Sequence, residues 1–88
     1  MLGESLKMTN PGIRELLIAM TQSLVDHPDQ VSVKELHSEQ AFIFELQVAK
    51  DDIGKVIGRG GKTAMALRSL LEAACGKFKK RVILEILE

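Results

Sequence analysis

A glycine-rich stretch at residues 54–63, with the sequence GKVIGRGGKT, constrains the fold of this chain more than any other segment. Three glycines lie within four positions, with a cation on each side of the glycine pair: Gly58, Arg59, Gly60, Gly61 and Lys62. Backbone without Cβ atoms lets another molecule approach closely. A helix that begins just after Gly61 adds free amides and the positive end of its dipole. These features suit a phosphate; the alternative is a tight turn between two helices that binds no ligand.

Basic residues gather around this stretch although the whole chain has a formal net charge of zero. Residues 1–50 carry four Lys and Arg against seven Asp and Glu, whereas residues 51–88 carry eight against five. Every charge between Ile53 and Leu71 is positive. A local positive field matters more to a polyanion than the total charge, so the composition does not exclude nucleic acid. The alternative is a solvated basic helix face.

Length and cysteine usage restrict the class of protein. The 88 residues allow one domain, which we place at 11–88 after a flexible leader at 1–10. No apolar run approaches the roughly 20 residues that span a bilayer, and the leader lacks the pattern of a signal peptide. A single cysteine, Cys75, favours a reducing cytoplasm, and its place on a helix predicts a buried residue. Neither histidine has a partner at a recognised ligand spacing, so no metal, cofactor or catalytic site is predicted.

The first half of the chain predicts a helix and a β-hairpin. Asn10-Pro11-Gly12 is typical of a helix start, and apolar residues at helical spacing continue to about Val25, before Pro28. Residues 31–34 and 42–49 alternate as strands around a turn at 38–40. The even positions of the second strand are predicted to face the core: Phe42, Phe44, Leu46 and Val48.

The second half predicts two helices and a strand. Asp51 or Asp52 is predicted to cap a short helix through Val56, which the glycine loop ends. A second helix runs from about Lys62 to Cys75 and stops at Gly76. The residues predicted on its core side are Ala64, Leu67, Leu71, Ala74 and Phe78. Residues 81–87 alternate as a final strand, with Val82, Leu84 and Ile86 on one side.

The resulting order is α-β-β-α-α-β, an α+β fold in two layers. The hairpin gives antiparallel pairing, and the crossover through two helices returns parallel and right-handed. The prediction is therefore a three-stranded mixed sheet covered on one face by three helices.

Residues 56–62, VIGRGGK, match the Ile-Gly-x-x-Gly signature of KH domains and lie between two helices, as that family requires. The preceding helix and hairpin match the type II KH arrangement. Segments 25–29, 48–58 and 80–82 closely resemble the KhpA (YlqC) family of small bacterial proteins with a single KH domain. The resemblance extends from about residue 13 to residue 88.

This resemblance implies binding of single-stranded RNA without catalysis, with about four unpaired nucleotides in a groove between the two helices and the sheet edge. Gly58 and Gly61 would allow close backbone approach, and Arg59 and Gly60 are the variable loop positions. Arg59 would contact phosphate. The remaining implied site residues are Lys62 at the helix start, Ile53 and Ile57 in the groove floor, and Lys55 and Arg68 as nearby cations.

The family also implies an RNA chaperone that acts on many transcripts, a homodimer, and a heteromer with a larger KH partner, KhpB (Jag or EloR). Roles in cell elongation, shape, wall biogenesis and division follow from the same resemblance. Gly60 leaves one loop cation where many KH loops carry two. Aromatic residues make up 3% of the chain, with no Trp or Tyr, so base stacking on aromatic platforms is not expected and binding should be weak and unselective.

Two other functions compete with RNA binding. Gly61-Lys62-Thr63 resembles the end of a nucleotide-binding P-loop, but Val56 stands where that loop needs glycine, and Thr63 replaces the third glycine of a dinucleotide fingerprint. A protein–protein interaction module is the stronger alternative. The apolar residues that would form its surfaces are Ile43, Ile83 and Leu87 on the open face of the sheet, and Met65 on the last helix.

Overall fold

The computed structural model describes residues 12–88. The predicted leader, and the predicted cap at Asn10 with Pro11, lie outside the described residues. The helices and strands are α1 (Gly12–Leu24), β1 (Ser32–His37), β2 (Ala41–Gln47), α2 (Ile53–Ile57), α3 (Lys62–Cys75) and β3 (Arg81–Ile86). Short 3-10 turns occupy Pro28–Gln30, Lys50–Asp52, Arg59–Gly61 and Gly76–Phe78.

The sheet has the strand order β1-β2-β3. β1 pairs antiparallel with β2, and β2 pairs parallel with β3, with Phe44 beside Leu84. The helices cover one face, so the predicted two-layer mixed sheet is confirmed. β3 is an edge strand because it pairs only with β2 in the described sheet. It contacts α3.

The core lies between this face and the helices. All four residues predicted to point inward from the second strand are buried: Phe42, Phe44, Leu46 and Val48. The helices contribute Leu17, Val56, Leu67, Leu71 and Cys75, which are 4% exposed or less. Burying a Leu or Phe side chain stabilises a fold by roughly 1.5–3 kcal/mol, so this cluster holds the two layers together.

β1 is longer than the sequence pattern indicated, because it pairs with β2 as far as His37 opposite Phe42. The alternation of apolar and polar residues in β1 breaks at Glu35 and Leu36, where the charged residue is on the inner side and the apolar residue on the outer side. Glu35 lies on the half-buried inner side, whereas Leu36 lies on the open face and is 39% exposed. The predicted turn follows, where the Ser38 hydroxyl accepts hydrogen bonds from the backbone amides of residues 40 and 41 at 3.2 Å.

The end of α3 also differs in detail from the prediction. The helix ends at Cys75, but Gly76 keeps right-handed helical geometry with φ −58°. The chain continues through one 3-10 turn, and Lys79 takes the left-handed conformation with φ 56°. The glycine is therefore not required by its backbone geometry, and the reversal occurs three residues later.

The sequence predicted Asp51 or Asp52 as the side-chain cap of α2; Asp52 is at the cap position but does not cap the helix with its side chain. It precedes α2, but its carboxylate makes no capping bond to that helix. Its oxygens instead accept hydrogen bonds from the backbone amides of Asp26 and His27 at 3.2 and 2.9 Å. The side chain is buried and joins the start of α2 to the turn after α1. Since α2 has only five residues and leads directly into the glycine loop, this contact fixes where the loop lies.

Candidate nucleic-acid interface

The glycine loop depends on three positive φ angles. Gly58, Gly60 and Gly61 have φ values of 77°, 63° and 77°, a region that residues with a Cβ rarely adopt. Gly58 is the most restricted, because a Cβ there would lie 2.9 Å from the backbone nitrogen of Thr63 and would also collide with the Thr63 side chain. The positions of Gly60 and Gly61 have open space around them.

The amides of the loop divide into satisfied and free groups. The Gly58 amide donates to the Gly54 carbonyl at 2.9 Å, and the Gly61 amide donates to the Gly58 carbonyl at 3.1 Å. Within residues 12–88 the amides of Arg59 and Gly60 have no acceptor. Both residues are exposed. The tip of the loop therefore carries two adjacent amides that are free to donate to a ligand.

Positive charge surrounds these two amides. Gly61, in the left-handed conformation, precedes α3 without a side-chain cap, so the first amides and the positive dipole end of a 14-residue helix are near the loop. Arg59 and Lys62 are exposed. Neither forms an ion pair with any residue in the described part of the chain. Both predicted loop cations are thus available to an anion.

A cleft runs from the loop between α3 and the free edge of β3. Its part nearer the loop has a volume of about 170 Å³ and is lined by Ala64, Met65, Arg68, Leu84 and Ile86. Its far part has a volume of about 290 Å³ and is lined by Arg68, Glu72, Arg81, Val82, Ile83 and Leu84. Arg68 and Leu84 line both parts, so the two form one cleft that changes from apolar to charged.

The edge of β3 offers backbone groups to this cleft. The amides of Arg81 and Leu87 donate to carbonyls of β2 or its preceding turn at 3.0 and 2.8 Å, so the odd positions of β3 face β2. Successive residues of a strand direct their backbone groups to opposite edges. Val82, Leu84 and Ile86 therefore direct their amides and carbonyls away from the sheet, along the cleft.

The remaining predicted site residues have different surroundings. Ile53 and Ile57 are half-buried on α2 and do not line the cleft. The Lys55 ammonium lies 3.3 Å from the Asp26 carboxylate and 4.0 Å from that of Asp52, so it is engaged on the side of α2 that meets the α1 turn. Arg68 does line the cleft, where its Nε lies 3.4 Å from Oε2 of Glu72.

Sequence reasoning missed Glu72, Arg81 and the cleft face of β3. A signal for Glu72 was present, because Ala64, Arg68 and Glu72 recur every four residues and so share one face of a helix. Arg81 required the knowledge that β3 lies beside α3. Met65 is 67% exposed and borders the apolar part of the cleft, so its exposure belongs to the same surface.

Other candidate chemistry is limited. Among residues 12–88 no group of three or more His, Cys, Asp or Glu side chains could hold a metal ion. No helix in the described range has the length and apolar character needed to cross a membrane. Cys75 is buried, as predicted, and this burial raises the pKa of its thiol, with Glu35 adding to the shift.

A short helix, a glycine loop and a longer helix, packed with an N-terminal helix on one face of a mixed three-stranded sheet, define a KH-like domain. The chain belongs to the KhpA/KhpB family of KH domains, whose sequence profile matches residues 14–86. KH domains are a non-enzymatic family, so this membership confirms the prediction that the chain is not an enzyme.

Individual relatives cover most of the chain. It is 52% identical over 73 residues to the RNA-binding protein KhpA of Caldanaerobacter subterraneus subsp. tengcongensis, which covers 83% of this chain and 97% of the relative. It is 48% identical over 75 residues to the RNA-binding protein KhpA of Clostridium acetobutylicum, over 85% of this chain and the whole relative. The protein of the same name in Borreliella burgdorferi is 45% identical over 74 residues, covering 84% and 90% of the two chains.

Proposed function

We propose that this protein binds single-stranded RNA through the Gly58–Gly61 loop, the start of α3 and the α3–β3 cleft. The observation that carries the proposal is the pair of amides at Arg59 and Gly60, which have no acceptor within residues 12–88, beside two cations that form no ion pair in that range. The relatives named RNA-binding proteins support it.

In this mechanism the sugar-phosphate backbone lies against the glycine loop. The Arg59 and Gly60 amides donate to phosphate oxygens, as backbone amides at helix starts do in other anion sites. Arg59 and Lys62 add charge, and the dipole of α3 acts in the same direction. The bases then turn into the cleft, where Met65 and Leu84 offer apolar contact and the β3 edge offers hydrogen bonds.

Affinity and selectivity are expected to be low. Two of the three phenylalanines, Phe42 and Phe44, are buried in the core, and none lines the cleft. Without an aromatic platform each base loses a stacking contribution of roughly 1–3 kcal/mol. Binding therefore depends mainly on the phosphate backbone, which is common to all RNA sequences.

The decisive experiment replaces both loop residues with aspartate, as Arg59→Asp with Gly60→Asp. Reversing the loop charge should abolish binding to a labelled single-stranded RNA. Arg59 is exposed, and position 60 has open space and a left-handed backbone that aspartate adopts more readily than most residues, so the double variant should lose at most about 1–2 kcal/mol of stability and stay folded. Normal RNA binding by a folded double variant would show that the loop is not the site.

The salt dependence tests the phosphate mechanism separately. If two to four phosphates are contacted, the log–log slope of affinity against salt should be about −1.5 to −3 for a single strand. Titrations between roughly 50 and 200 mM salt measure it. An affinity that does not change with salt would contradict a backbone-directed mechanism, even if the loop variant had lost binding.

The cellular part of the proposal rests on the family. A weak, unselective RNA-binding site suits a cytoplasmic chaperone that acts on many transcripts, and the KhpA resemblance supports a part in cell elongation, shape, wall biogenesis and division. Cells that lack the protein should change in length or shape. Restoration by the wild-type gene but not by the Arg59→Asp, Gly60→Asp variant would tie that role to RNA; equal restoration by both would separate them.

A second function, pairing with another KH chain, is favoured by an apolar hollow on the other side of α3. It lies between α1 and α3, has a volume of about 340 Å³ and is lined by Met20, Ser23, Leu24, Thr63, Ala66, Leu67 and Leu70. Leu24 and Leu70 are 40% and 50% exposed there. A homodimer formed at this hollow would present two loops to one RNA and gain avidity; a KhpB-like chain is the alternative occupant.

Sedimentation velocity tests the homodimer. The wild type should sediment as a pair and Leu70→Glu as a monomer, whereas Leu36→Glu, a matched change on the open sheet face, should leave the pair intact. If only Leu36→Glu abolishes the homodimer, the interface is instead the open face of the sheet, where Ile43, Ile83 and Leu87 lie. A monomeric wild type that becomes a heteromer with a KhpB-like protein would favour that partner instead.

A further inference from the structure

The charged end of the cleft contains one acid. Among residues 12–88, Glu72 is the only Asp or Glu that lines either part, and it lies with Arg68 and Arg81 in the far part. Its Oε2 is 3.4 Å from Nε of Arg68, and the two side chains are 48% and 61% exposed. Arg81 is exposed and has no ion pair with any residue from 12 to 88.

Helix stability does not explain the position of Glu72. It lies in the last turn of α3, where the negative end of the helix dipole disfavours a carboxylate. Arginine four residues before glutamate is also the less favourable order for an ion pair within a helix. Pairs as exposed as this one contribute little to folding. Glu72 is therefore expected to affect the ligand in the cleft more than the stability of the helix.

A polynucleotide in the cleft meets Glu72 as a competitor. A phosphate that approaches Arg68 competes with the carboxylate beside Nε for the guanidinium, and the carboxylate repels the phosphate. Ten residues of α3 separate Lys62 from Glu72, about 15 Å of helix, which is within reach of the few nucleotides that a KH groove accepts. One bound RNA segment can therefore contact Lys62 at the loop and also meet the Glu72 carboxylate.

We propose that Glu72 restrains Arg68 and limits the affinity of the cleft for RNA, so that RNA leaves the far end of the cleft more readily than it leaves the glycine loop. This inference rests on the proposed RNA-binding function. It gives Arg68 a role that depends on Glu72, since the carboxylate beside Nε weakens the attraction of the guanidinium for phosphate. The consequence is faster exchange of RNA at the far end of the cleft, in addition to the weak binding that follows from the lack of an aromatic platform.

The test compares Glu72→Gln with Glu15→Gln in RNA titrations. Glu72→Gln should bind single-stranded RNA about 3- to 10-fold more tightly, from the Coulomb energy of one charge a few ångströms from a phosphate in a solvent-exposed site. Its log–log salt slope should steepen by about 0.7, the increment for one more phosphate contact. Glu15, which pairs with Arg14 at 2.8 Å on α1 and does not line the cleft, gives the same change in net charge and should leave affinity within about 2-fold.

A double-mutant cycle tests whether Glu72 acts through Arg68. In an Arg68→Gln background, Glu72→Gln should increase the affinity for RNA by less than about 2-fold. The inference is overturned if Glu72→Gln binds like the wild type, if Glu15→Gln gains as much, or if the gain persists fully without Arg68. Failure of the proposed function gives a different result: a wild type that does not bind RNA, or a loop double variant that binds normally, overturns that function and this inference with it.

Discussion

Nδ1 of His27 lies 3.0 Å from Oδ2 of Asp52, and this contact holds together two segments that are 25 residues apart in the sequence. The same carboxylate accepts the backbone amides of Asp26 and His27. Asp52 is fully buried, whereas the His27 side chain is 45% exposed. The segments that carry the family resemblance, 25–29 and 48–58, therefore meet directly, and together they support α2 and its glycine loop.

This pair predicts a stability that depends on pH. The hydrogen bond to Asp52 raises the pKa of His27 above 6.5 despite desolvation, with smaller contributions from the charges of Asp52, Asp26 and Asp51. A raised pKa contributes stability that is fully present below the unfolded value and is lost as pH rises through the folded value. The urea midpoint should therefore be higher at pH 5.5 than at pH 8.5.

Asp52 predicts a loss of stability at low pH. Burial would raise its pKa, but hydrogen bonds from the amide of Asp26 and from the side chain and amide of His27 outweigh burial and hold the pKa below 3.8. Its contribution is present above that value and is lost as pH falls through the folded pKa. In His27→Gln the urea midpoint should no longer fall between pH 5.5 and 8.5, but it should still fall in acid as Asp52 becomes protonated. An unchanged fall of the urea midpoint in His27→Gln would show that a group other than His27 causes it.

Lys55 and Lys62 should behave differently although both flank the glycine loop. Lys55 is engaged with Asp26 and Asp52, so Lys55→Gln should change RNA affinity by less than about 2-fold and lower the free energy of unfolding by at most about 1 kcal/mol, as for an exposed pair. Lys62 has no such partner in the part of the chain that the structure describes, and Lys62→Gln should weaken binding and reduce the salt slope by about 0.7. Equal losses of affinity in the two variants would place Lys55 on the RNA instead.

The predictable features of this fold are those encoded by neighbouring residues. Alternation in 42–48 predicted the buried face of β2, and the glycine cluster predicted the bend between α2 and α3. Asp51 or Asp52 was predicted to cap α2 because local sequence favours that role, but the partners of Asp52 come from a distant turn. The charged end of the cleft was missed for a similar reason, since Arg81 meets Arg68 only once β3 has paired in parallel beside α3.

The loop glycines should not be equivalent on substitution. Gly58→Ala adopts a backbone region almost restricted to glycine and collides with Thr63, so it should destabilise the fold by about 3 kcal/mol or more. Gly60→Ala has the left-handed conformation without a collision and should cost only about 1–2 kcal/mol. Urea unfolding measures both. Equal losses would show that the contact with Thr63 relaxes without cost.

Thr21 offers a substitution that should stabilise the protein. Its side chain is fully buried in α1, and in the described part of the chain its hydroxyl has no hydrogen-bond partner. A buried unpaired hydroxyl costs roughly 1–3 kcal/mol, so Thr21→Val, which keeps the branched shape, should raise the free energy of unfolding by about 1 kcal/mol. Thr21→Ser keeps the hydroxyl and removes the methyl group, and should lower stability by about 1 kcal/mol. Urea unfolding with an unchanged m-value measures both, and because Thr21 does not line the cleft, RNA affinity should stay constant. A Thr21→Val variant less stable than Thr21→Ser would mean that the hydroxyl has a partner, such as a bound water.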